Sequence, residues 1–66
     1  MIVFDKLWET MKDKDVSTYI LREKYQIDTR TIRRLKANQN VTTETLSILC
    51  KILNCKLSDI AEYIPD

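Results

Sequence analysis

The chain contains no glycine, and its single proline, Pro65, stands one residue from the C-terminus. Tight β-hairpins need positive φ angles that glycine supplies most readily. A chain of 66 residues without it is expected to be all-α, a bundle of helices. That length makes one domain, residues 1–66, near the lower limit at which a single core suffices without metals or disulfide staples. Aromatic residues are 8% of the chain against 44% apolar in total, so the core must come mainly from Leu and Ile.

Apolar spacing and capping residues predict five helices. The first covers about residues 5–12, with Asp5 as N-cap and Phe4, Leu7, Trp8 and Met11 at i, i+3, i+4, i+7 spacing. Ser17 caps a second helix over residues 18–25, which buries Leu21 and Tyr25, flanked by Ile20. Gln26 and Ile27 form a tight turn in which Ile27 points back to the core. Asp28 or Thr29 caps the third helix, where an acid also complements the positive helix end. Residues 37–40 end it, and Asn38 is the best candidate for a left-handed closing residue. Thr42 or Thr43 caps a fourth helix that buries Leu46, Leu49, Cys50 and Leu53, and Asn54 ends it. The last, short helix starts at Lys56-Leu57 or at a Ser58 cap, packs Ile60, Ala61 and Ile64, and stops at Pro65. Residues 1–4 precede the first cap and are expected to form an extended arm, with Ile2-Val3-Phe4 β-prone enough to pair with a second copy.

The net charge is only +1, but it is unevenly placed. Residues 16–40 hold six cations (Arg22, Lys24, Arg30, Arg33, Arg34, Lys36) against two anions (Glu23, Asp28), a local net of +4. The remainder holds five cations against eight anions, a net of −3. A solvated helix face accounts for a charge run taken alone. Together with an acidic back, the asymmetry suits a surface that binds a polyanion.

The second and third helices are short, are joined by about three residues, and share the anchors Leu21, Tyr25, Ile27, Ile32 and Leu35. That is the arrangement of a helix-turn-helix, in which the first helix braces the second at roughly a right angle. Ile32 and Leu35 root the second helix of the pair and leave Thr29, Arg30, Arg33, Arg34 and Lys36 facing outward. Arginine matches guanine O6 and N7 by a bidentate pair, and threonine can meet a thymine methyl or a phosphate.

From Leu7 onward the chain resembles the Xre/Cro-type (lambda-repressor-like) helix-turn-helix family, particularly its small single-domain branch. The matching text is Leu21, Ile27-Asp28, Thr31-Ile32, Leu35, the loop Asn38-Gln39-Asn40-Val41, Thr45-Leu46 and the run from Ile48 to Leu53. It continues through Asn54-Cys55 and Leu57-Ser58-Asp59-Ile60, in order and without gaps, over about 60 of 66 residues. Short VanU-type regulators of resistance operons are similar throughout. The resemblance implies a five-helix domain whose third helix, about residues 29–37, enters the major groove. By position it implies base contacts from Thr29, Arg30 and Arg34. It implies backbone contacts from Ser17, Thr18, Arg33, Lys36, Asn38, Gln39 and Asn40. Two positions depart from the pattern: Arg22 stands where the family usually has alanine, and Gln26 stands where it usually has the turn glycine. Arg22 can direct its charge outward while its stem packs, and Gln26 costs strain if its φ is positive.

Other chemistry is sparse. Cys50 and Cys55 have four residues between them and the chain has no histidine, too few ligands for a zinc site, so they read as small reduced hydrophobes. No metal, cofactor or small-molecule ligand is expected. The carboxylates are scattered without a histidine, so no enzyme is expected either. The N-terminus lacks a cationic leader pattern, and no apolar run approaches the roughly 20 residues of a membrane span, so a cytoplasmic location is expected. The sequence thus favours a regulator of double-stranded DNA over an interaction module, antitoxin-like or accessory, on the same scaffold. One such domain offers about four or five base contacts, so a homodimer on a palindromic operator is expected, joined through residues 2–4 or 57–64.

Overall fold

The computed structural model describes all 66 residues. Its elements run β1 (Ile2–Val3), α1 (Asp5–Asp13), α2 (Thr18–Glu23), α3 (Thr29–Lys36), α4 (Thr43–Leu53) and β2 (Glu62–Tyr63). The expected count of five helices is corrected to four, because Leu57–Asp59 forms only a single 3-10 turn. The Lys56 N–H donates to Asp59 Oδ2 at 3.0 Å and closes that turn. Beyond it the chain extends, because its backbone finds a strand partner in the N-terminus. Ile2 pairs with Tyr63 and Val3 with Glu62 in antiparallel register, and the Ile64 N–H donates to the Met1 carbonyl at 2.8 Å. The first residues are therefore extended, as expected, but they pair within the chain.

Ten apolar side chains form the core: Phe4, Leu7, Met11, Leu21, Ile27, Ile32, Leu35, Leu49, Leu53 and Ile60. Each helix contributes at least one, and no polar or charged residue is buried among them. α1 begins one residue earlier than Asp5 as cap would have it, with Phe4 at the N-cap and Asp5 in the first turn. Phe4 is buried and its N–H donates to Asn38 Oδ1 at 2.8 Å, so core packing and a long-range hydrogen bond set the helix start. Leu46 and Cys50 are only half-buried, and Ile64 is exposed.

The missing glycines are replaced in an orderly way. Asp15, Gln26, Asn38 and Asn54 all adopt positive φ, at 59°, 59°, 55° and 50°. Three of them close helices in the same manner. Val16 N–H donates to the Met11 carbonyl, Gln39 N–H to Arg34 and Cys55 N–H to Cys50, each reaching back five residues past a left-handed residue. This is the Schellman closure, built here on Asp and Asn, the non-glycine residues best suited to that conformation. At the end of α4 the closure sets free Cys50 and Cys55 at its two contacting positions, and burial pushes the Cys55 thiol pKa up.

Candidate nucleic-acid interface

The site starts from two short helices and the turn between them. Ser17 Oγ accepts the Ile20 N–H at 3.2 Å and starts α2; Asp28 Oδ1 accepts the Thr31 N–H at 2.7 Å and starts α3. Both are side-chain caps for N–H groups that no helix carbonyl can reach. The Asp28 carboxyl pKa is lowered, first by the Thr31 backbone N–H, then by the Thr31 side chain and by the charges of Arg30 and Arg34. α2 ends at Glu23, two residues sooner than the apolar pattern implies. Gln26 turns left-handed and redirects the chain, and the Ile27 N–H donates to the Leu21 carbonyl at 3.0 Å. Ile27 is buried under the turn, but Tyr25 is swung out and exposed, with the Lys24 ammonium 5.5 Å from its ring centre. Tyr25 is thus no part of the brace, which Leu21 and Ile27 hold.

α3 is rooted by Ile32 and Leu35, which are 6% and 0% exposed. Truncating such an anchor to alanine costs about 2–5 kcal/mol, a large share of the stability of any small domain. Thr29, Arg30, Arg33, Arg34 and Lys36 are all exposed. Three ion pairs lie within 4.0 Å in the chain: Met1 ammonium to Asp66, Lys6 to Glu62, and Arg22 to Glu23. None engages the four cations of α3, so the helix presents unneutralised charge to solvent. Seven of the ten residues assigned from the resemblance border one of two hollows, while Arg30 and Arg34 stand exposed on α3 outside both and Ser17 sits at the start of α2. Thr18, Thr29 and Arg33 border one cleft between α2 and α3 with Lys36, whereas Asn38, Gln39 and Asn40 line a separate hollow beside Met1 and Ile2. Two of them already have structural work: the Ser17 oxygen caps α2, leaving its O–H to donate, and Asn38 Oδ1 holds Phe4, leaving its amide N–H groups. Arg22, which was not among the assigned contacts, also borders the α2–α3 cleft. Its helical spacing from Thr18 was the available signal, since residues four apart share a face.

A braced, rooted helix carrying four unpaired cations defines a helix-turn-helix domain. A family profile described as the Cro/C1-type HTH DNA-binding domain matches residues 6–66, and the chain belongs to that family. Among solved structures, the chain is similar to the crystal structure of the transcriptional regulator VanUg, form II, with 34% identity and a TM-score of 0.88. The match covers 98% of this chain and 87% of that one. No curated protein matches the sequence. No helix is long and apolar enough to cross a membrane.

Proposed function

We propose that the chain is a sequence-specific regulator of transcription that inserts α3 into the major groove of double-stranded DNA. The observation that carries this reading is the set of four unpaired cations on one eight-residue helix anchored by Ile32 and Leu35. A helix with its side chains is about 10–12 Å across, which matches a major groove about 12 Å wide. Membership of a DNA-binding family and the likeness to a transcriptional regulator support the same reading. Thr29, Arg30 and Arg34 face the bases; Ser17, Thr18, Arg33, Lys36 and the loop Asn38-Gln39-Asn40 face the backbone. Such a protein acts on DNA in the cytoplasm.

The bound form is a homodimer that places two copies of α3 about 34 Å apart on a palindromic site. Pairing of β1 with β2 sets residues 2–3 of one candidate surface beside residues 62–63 of the other. Val3 and Phe4 are buried, so the apolar residues that face a second copy are Ile2, Leu57, Tyr63 and Ile64, all exposed. Sedimentation with and without operator tests the dimer, and a stable 1:1 complex on a non-palindromic site contradicts it. Base reading is tested by Arg30→Ala and Arg34→Ala. Each is expected to lose about 1–3 kcal/mol on the preferred site and to relax base preference locally. Unchanged preference in both variants overturns the assignment of the readers.

A further inference from the structure

The cleft between α2 and α3 is walled by Thr18 and Arg22 from α2 and by Thr29, Arg33 and Lys36 from α3, with Ile32 alongside. The pattern has a simple origin. Positions 18 and 22 share one face of α2, and positions 29, 33 and 36 share one face of α3, so the turn folds the two faces toward each other. Three cations and two hydroxyls line a space of about 150 Å³, and no carboxylate lines it. Such a concave surface repels itself until an anion enters.

Arg22 is the only cation on the α2 wall of this cleft; alanine in its place would leave that wall with Thr18 alone. The Arg22 guanidinium carbon lies 5.9 Å from the Tyr19 ring centre, and its Nε lies 3.8 Å from Glu23 Oε2. Both partners of that ion pair are about half exposed, with side-chain accessibilities of 45% and 58%. A pair so long and so well solvated yields readily to a phosphate, which the guanidinium fork matches bidentately.

We propose that this cleft seats the sugar–phosphate backbone of the bound duplex, with Arg22 as the phosphate ligand on its α2 wall. The inference rests on the DNA-binding reading above and adds a contact to those of Arg33 and Lys36.

The test measures duplex affinity of the full chain against potassium chloride concentration, on the preferred site and on a random duplex, for wild type, Arg22→Ala and Arg22→Lys. Alanine is the best helix former, so the first variant should fold, and circular dichroism checks that it does. The slope of log K against log salt is expected to become shallower by about one in Arg22→Ala. The ratio of wild-type to variant affinity then shrinks about 3.5-fold between 50 and 200 mM salt. The loss should be equal on both duplexes, and Arg22→Lys should keep the wild-type slope. If wild type binds duplex but Arg22→Ala keeps its slope, the seat is wrong and the DNA-binding reading stands. A loss confined to the preferred duplex makes Arg22 a base reader and equally overturns the seat. Failure of wild type to bind any duplex removes both.

Discussion

Gln26 is the residue at which this glycine-free chain carries the most removable strain. It holds φ 59° in the turn between α2 and α3. A residue with a Cβ in the left-handed region costs roughly 1–2 kcal/mol, less for Asn and Asp, whose side chains bond locally. Glutamine has no such relief, and no side-chain hydrogen bond of Gln26 offsets the cost. Gln26→Gly removes the strain but frees the unfolded chain, which takes back about 0.4–1 kcal/mol. The net gain is about 0.5–1 kcal/mol. With an unfolding entropy of about 2.1 cal/mol/K per residue, a chain of 66 residues should gain about 4–7 °C in Tm. Thermal unfolding followed at 222 nm, with Gln26→Ala beside it, is the assay. Alanine keeps the Cβ and should bring no such gain. Asn38→Gly is the opposing control: Asn tolerates φ 55° well, and losing its side chain leaves the partly buried Phe4 N–H without its acceptor. That variant should fall in Tm. A Gln26→Gly protein no more stable than wild type, or an Asn38→Gly protein that gains, refutes the reasoning.

Acid should weaken the start of α3. The folded-state pKa of Asp28 lies below its ordinary value of 3.8, so its stabilisation is complete above that value and fades as pH falls through the lower, folded pKa. Urea midpoints taken downward from pH 5 should fall more for wild type than for Asp28→Asn, which still caps but does not ionise; parallel curves contradict the assignment. Arg33→Ala and Lys36→Ala should weaken binding to all duplexes alike and make the salt slope shallower by about one each. An unchanged slope would identify them as solvated charges.

The parts of the fold that were legible in the sequence are those decided by local chemistry. The caps Ser17, Asp28 and Thr42 accept the N–H groups of Ile20, Thr31 and Thr45, and Asn38 and Asn54 take the left-handed conformation that ends their helices. Leu21, Ile27, Ile32 and Leu35 are buried because their spacing leaves each helix one apolar stripe. What was not legible depends on partners distant in sequence. The fifth helix is lost because β1, some sixty residues earlier, offers β2 a ladder that a short terminal helix cannot match. Tyr25 has the helical spacing of a core residue, but Gln26 reverses the chain before that spacing can apply. For the interface, the outward cations of α3 follow from the roots Ile32 and Leu35. The place of Arg22 does not, since it requires two helices to meet at a particular face.

The central claim is that α3 reads duplex DNA by sequence. Its most direct test is selection of bound sequences from a pool of random duplexes, with wild type and with Arg30→Ala/Arg34→Ala run in parallel. The account predicts that wild type enriches one motif, repeated as two inverted half-sites about one helical turn apart, and that the double variant loses its defined positions while still retaining DNA at low salt. A wild-type pool that stays random after selection, or a double variant that enriches the same motif, contradicts it.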